Sequence, residues 1–132
     1  MTEEVCAMLV HGEGSPLAAL KLALEHQGVH TFRVRNCGEA QMRLEDGALP
    51  ELVFTDTNLP DGNWANVLAL ARRLAPTSQV IVVSRFVDTA LYIEVLESQA
   101  FDFIVPPFLD SDLAHVVRCA TWHAKQFHAR VA

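Results

Sequence analysis

The sequence predicts an α/β domain: a doubly wound, five-stranded parallel sheet with helices on both faces. Three observations predict it. Val5 to Val10 and Val80 to Val83 are continuous apolar runs without the alternation of a half-exposed strand, and they suit strands buried on two sides. Stretches with helical apolar spacing stand between the strand-like runs, giving the order βαβαβαβαβα. In the middle of the chain, Glu51 to Gly62 reads Glu-Leu-Val-Phe-Thr-Asp-Thr-Asn-Leu-Pro-Asp-Gly, a short buried strand that ends in an acid and a cluster of turn formers.

Taken in order, Val5–Val10 is the first strand and His11 to Gly14 a loop. Ser15 then Pro16 predicts a helix cap followed by proline at the first helical position. Leu17, Leu20, Ala23 and Leu24 share one helical face, and Gly28 stops it. His30 to Arg35 places Phe32 and Val34 inward in alternation, as an outer strand does. A short helix is expected over Glu39 to Leu44, ended by Asp46-Gly47. Leu52 to Thr55 is the central strand and Asp56 closes it. Asn58, Pro60, Asp61 and Gly62 make a tight turn, and a helix runs from Trp64 to Leu74 until Pro76. Val80–Val83 closes on Ser84. Asp88 or Thr89 caps a helix to about Gln99, Phe101 to Val105 is the last strand, and Asp110 or Ser111 caps a final helix over about 111–130. The inner face of that helix is Leu113, Val116, Val117, Ala120, Ala124 and Phe127.

Size and charge bound the function. The 132 residues form one domain, 1–132, and 51% hydrophobic content is ample for a core on both sides of a sheet. A net charge of −6 argues against a nucleic-acid surface on this domain alone. No apolar run approaches the roughly 18 residues of a membrane span. The start, Met-Thr-Glu-Glu, lacks the basic opening of a signal peptide. Cys6, Cys37 and Cys119 are odd in number and far apart, which reads as buried, reduced thiols in a cytoplasmic protein.

An acid at the C-terminal end of a central strand points into the crevice where open α/β sheets bind ligands; the plainer reading is that Asp56 caps its own turn. With the neighbouring segments in place, the chain resembles a response-regulator receiver domain over nearly its whole length. The resemblance rests on the loop at His11 to Glu13, Asp56 with Leu59-Pro60-Asp61-Gly62 behind it, Ser84, Phe103, and Pro107-Phe108. It implies strand order 2-1-3-4-5, Asp56 as phosphoacceptor, Ser84 as the hydroxyl that bonds the phosphoryl group, Phe103 as the switch aromatic, and a cis bond between Pro106 and Pro107. It also implies two-component signalling as a phosphoprotein in a phosphorelay, with a histidine kinase or other signalling protein as partner. A homodimer through the fourth helix, fifth strand and fifth helix is a further implication, with Tyr92, Val95, Phe101, Trp122 and Phe127 offered there.

The departures from the family pattern are specific. Where the family ends its first strand in a pair of acids that hold Mg²⁺, this chain has His11 and Gly12, with Glu13 beside them. Where the family has a phosphate-binding lysine, it has Pro106, which lacks both an ammonium and a backbone donor. Phosphoryl transfer to a carboxylate depends on neutralising negative charge and on positioning. Asp56, Asn58 through its carbonyl, and Glu13 remain as a weak Mg²⁺ set. The expectation is an atypical receiver that regulates a partner or its own dimerisation, with weak or absent Mg²⁺-dependent phosphorylation. No enzymatic activity is expected beyond slow hydrolysis of an acyl phosphate on Asp56. The competing reading is a working phosphoacceptor. A flavodoxin-type cofactor site is disfavoured, because the first loop offers only Gly12, Gly14 and Ser15 to cradle a phosphate.

Other residues carry paired readings. Arg85 is a substitute cation if it reaches the crevice, though one position past Ser84 it more readily points away. His11 titrates near neutrality at the mouth of the site, or is simply solvated. Trp64 covers the start of its helix, or leans over Asp56. His26, His30, His115, His123 and His128 show no ligand set, since His123 and His128 lie five apart on a helix and do not share a face.

Overall fold

The computed structural model describes residues 4–14 and 16–131, with side chains through residue 126. The strands are β1 (Cys6–Val10), β2 (His30–Val34), β3 (Leu52–Asp56), β4 (Gln79–Val83) and β5 (Asp102–Ile104). The helices are α1 (Leu17–His26), α2 (Cys37–Glu45), α3 (Trp64–Leu74), α4 (Thr89–Glu97) and α5 (Asp110–Val131). All five strands are parallel, in the order β2-β1-β3-β4-β5. This is the predicted flavodoxin-like winding, and its chain reversal places a crevice at the C-terminal ends of β1 and β3.

The sheet divides the interior into two cores. Because side chains alternate along a strand, Met8, Val10, Val53 and Val82 face one side, where α2, α3 and α4 cover them. Leu9, Phe54 and Ile81 are in register across three strands and face the other side, under α1 and α5. Every residue of β3 is buried, which is why that strand reads as an apolar run closed by a single acid.

Several boundaries differ from expectation. The predicted cap at Ser15 lies outside the described residues, and α1 begins at Leu17 with Pro16 in the capping position rather than inside the first turn. Helix α2 starts earlier than Glu39, because the Asn36 side chain accepts the Glu39 amide at 2.8 Å. The segment Asn58 to Asn63 is more than a turn: Asn58–Leu59 pairs antiparallel with Gly62–Asn63 as a two-residue ribbon. Asn63 then caps α3 in a reciprocal box with Asn66. Gly62 has no room for a side chain there, since a Cβ would lie 2.6 Å from Asn66 Oδ1 and 3.0 Å from Cys37 Sγ. The last strand is shorter than predicted. The bond between Pro106 and Pro107 is cis.

Helix α5 has 22 residues, about 33 Å at the usual rise. Of its predicted face, Leu113, Ala120 and Ala124 are buried and Val116 and Val117 pack beside them, whereas the side chain of Phe127 lies outside the described residues. Val95, expected on an outer face, is instead wholly buried, because the inward stripe of α4 is narrow and Val95 fills its centre against the sheet. Of the three thiols only Cys37 is buried; Cys6 and Cys119 are half-buried.

Candidate functional site at the sheet edge

Asp56 ends β3 opposite Val83 on β4, and the next residue of that neighbouring strand line is Ser84. Both are buried at the sheet edge, each 6% exposed. Asp56 has the strand parity of Phe54, so its side chain leaves on the α1/α5 side. Its Oδ1 accepts the Thr57 amide at 2.7 Å. The turn-capping role and the position at the crevice therefore coexist. Ser84 continues the pairing of β4 with β5, since its amide donates to the Ile104 carbonyl at 2.9 Å. Its hydroxyl closes its own loop: Oγ donates to the Phe86 carbonyl at 2.8 Å and accepts the Phe86 amide at 3.3 Å.

His11 is not a solvated loop residue. Its amide donates to the Val34 carbonyl at 3.1 Å, so pairing with β2 carries one residue past β1 and pulls the ring inside, leaving it 5% exposed. With Nδ1 protonated, the ring donates to the Gly12 carbonyl at 2.8 Å. Burial pushes the imidazole below its ordinary value, and the Arg33 guanidinium pushes the same way, against the opposing pulls of the Gly12 carbonyl and Asp56. At neutral pH the ring is therefore uncharged and adds no cation to the crevice.

This depression has a measurable consequence. Below the ordinary value of 6.5 the unfolded chain binds a proton that the folded chain resists. The His11 contribution to stability is complete above that value and is lost as the pH falls toward the depressed one. His11→Gln is expected to flatten urea-unfolding stability between pH 7.5 and pH 5.5, where the parent chain loses it. Equal losses in both proteins would contradict the assignment.

The other expected members are placed as follows. Arg85 is exposed and, among the described residues, makes no ion pair. Phe103 is half-buried and stacks on Tyr92, with centroids 5.7 Å apart and planes within 3°. Trp64 is buried with Val10, Val34 and Cys37 on the α2/α3 side of the sheet, away from the face Asp56 takes. Glu13 and Asn58 are both exposed. Among the described residues no group of three His, Cys, Asp or Glu side chains converges to hold a metal ion. The donors beside Asp56 at the end of β1 are an imidazole and a glycine, a poor match for a hard cation that favours oxygen ligands.

Two features escape sequence reasoning. Asp61 ties the ribbon to α2, its two carboxylate oxygens accepting the Cys37 amide at 2.8 Å and the Gly38 amide at 3.0 Å. Those amides hold the Asp61 carboxyl below its ordinary value, while burial and the neighbouring Asp61 charge push the Cys37 thiol up to about 11 and keep it protonated. Arg33 is the second. On the edge strand it looks like a solvated outward residue, yet its Nε donates to the His11 carbonyl at 3.3 Å and brings a guanidinium to the mouth of the crevice. An arginine at an alternating position of an edge strand gives no local signal of that contact.

Fold and site together define a doubly wound domain with a carboxylate and a hydroxyl at its switch point. Residues 8–118 match the response regulator receiver domain, and the chain belongs to that family. It is 30% identical over 125 residues to the alginate biosynthesis transcriptional regulatory protein AlgB of Pseudomonas putida, covering 93% of this chain and 26% of that protein. It is 32% identical over 62 residues to the chemotaxis protein CheY of Thermotoga maritima, covering 47% of this chain and 52% of that one. The chain thus spans about a quarter of the AlgB sequence.

Solved structures share the fold. A CheY-like response regulator receiver domain protein from Methanospirillum hungatei superposes with a TM-score of 0.78 at 21% identity, over 94% of this chain and 98% of the other. The beryllofluoride-activated NtrC4 receiver domain dimer does so with a TM-score of 0.77 at 22% identity, over 90% and 98%. The chain is a two-component response regulator receiver domain. Among the described residues, no helix is long and apolar enough to cross a membrane.

Proposed function

We propose that this receiver is a signalling interaction module whose Mg²⁺-dependent phosphorylation at Asp56 is weak or absent, and that it acts by regulating a partner or its own dimerisation. The observation that carries the reading is the end of β1, where a buried neutral imidazole and a glycine stand in place of carboxylates. Pro106 removes a further cation at the end of β5. This donor set does not fit Mg²⁺.

A transcriptional regulator such as AlgB suggests an output that the receiver governs, and a histidine kinase is the partner class the family implies. The surface formed by α4, β5 and α5 supports self-association: Tyr92 is 42% exposed and Trp122 58%, and Phe101 is half-buried with its ring 5.3 Å from that of His123.

A working phosphoacceptor with slow self-hydrolysis is the second reading, and the proximity of Asp56 to Ser84 on adjacent strands favours it. Incubation with acetyl phosphate and Mg²⁺, read by intact mass, separates the two. The expected result is no acid-labile gain of a phosphoryl group. Ready modification that Asp56→Asn abolishes would establish the second reading.

A further inference from the structure

A cleft of about 350 Å³ opens beside the Asp56 crevice, lined by Gly12, Glu13, Arg33, Arg35, Asn36 and Pro60. It lies within the size range of small-ligand sites. In a chain with net charge −6, this cleft gathers two of ten basic residues. Arg33 sits on β2 and Arg35 just beyond its end. The strand ends at Val34 and the chain bends at Arg35, and both guanidinium-bearing residues line the same cleft. Among the described residues neither forms an ion pair. Arg33 is not free to wander, because its Nε is fixed on the His11 carbonyl, and this leaves its two terminal nitrogens to face a ligand. The opposite wall is kept open by Gly12, where even a Cβ would approach only the Pro60 ring, at 3.8 Å.

We propose that this cleft binds a small molecule carrying a pyrophosphate group, with Arg33 and Arg35 each engaging one phosphate. Guanidinium forks suit tetrahedral oxyanions and pair with them through two parallel hydrogen bonds. Two forks side by side match two linked phosphates better than one. Glu13 is the only acid on the lining, and its charge opposes the ligand. The assignment stands apart from whether Asp56 carries a phosphoryl group, because Asp56 is not part of this lining.

The test is calorimetric titration of the whole chain, without Mg²⁺, with inorganic pyrophosphate, ADP and malonate. Saturable binding of pyrophosphate or ADP is expected, weakening as salt is raised because the cleft is open to solvent. Tighter binding of ADP than of pyrophosphate would place a nucleoside in the remaining volume, and the reverse would assign the inorganic ion. Arg33→Ala and Arg35→Ala are each expected to weaken binding at least ~10-fold, consistent with the loss of one charge-assisted pair. Arg118→Ala, on the exposed face of α5, should leave it unchanged, and Glu13→Gln should tighten it. Circular dichroism and urea unfolding of each variant confirm that the fold is retained. Absence of saturable binding, equal affinity for malonate, or equal loss in Arg118→Ala overturns the proposal.

Discussion

Restoring two acids at the end of β1, as His11→Asp with Gly12→Asp, is expected to raise the rate of Asp56 phosphorylation by acetyl phosphate and Mg²⁺ by at least ~10²-fold, by analogy with the effect of one well-placed donor on a developing oxyanion. The backbone is ready for the change. The nearest obstacles to a side chain at position 12 are the Pro60 ring carbons at 3.8 Å, an ordinary contact. Position 11 already points inward, being 5% exposed. Two carboxylates there with Asp56 give a hard cation the oxygen ligands it favours. The variant should also show a saturable Mg²⁺ response stronger than that of the parent. If the parent is modified as fast as the variant, the missing acids are not what limits the site, and the proposed function fails with them. Recovery should be partial, since Pro106 still stands where the family has a lysine.

Replacing Phe54 by alanine is expected to cost about 3–5 kcal/mol, the range for removing a fully buried aromatic ring and leaving a cavity. Phe54 is the largest of the fully buried side chains and sits at the centre of the sheet, opposite Leu9 on one side and Ile81 on the other. Alpha1 and α5 both close over it, so the hole cannot collapse without moving two helices. A loss on this scale is a large share of the 5–15 kcal/mol that holds a typical domain folded. Urea denaturation measures it. Leu22→Ala provides the contrast, because Leu22 is 68% exposed on α1 and should change stability by no more than about 0.5 kcal/mol. Similar losses at the two positions would mean that the core is not organised around β3.

Burial on both faces made the sheet legible, because it leaves unbroken apolar runs. The acid closing the β3 run marked the edge. Where local signals were weak, expectation and structure part. The ribbon at Asn58–Leu59 and Gly62–Asn63 has strands of two residues each, too short to show any periodicity. Asn36 and Asn63 are good capping types, but which asparagine caps which helix depends on where the preceding strand ends. The burial of His11 depends on β2 extending its pairing by one residue, a fact of register between segments far apart in the chain. Val95 shows the same dependence, since its place in the core is set by how α4 lies on the sheet. The site was legible as residue types at the crevice, Asp56 and Ser84 above all. Its electrostatics were not, because Arg33 reaches the crevice mouth only through tertiary contact.

The Ser84 hydroxyl already has employment. It fastens the start of the loop that leads to α4 onto Phe86, and Phe86 and Val87 are 75% and 81% exposed. Any anion lodged on Asp56 that recruits this hydroxyl must first unpick the clasp to Phe86. A neutral hydrogen bond with a net worth of about 1 kcal/mol is then traded for a charge-assisted one of about 1.5–3 kcal/mol. The loop thus rests on a shallow detent, held by a single residue whose release would reposition the exposed Phe86 and Val87.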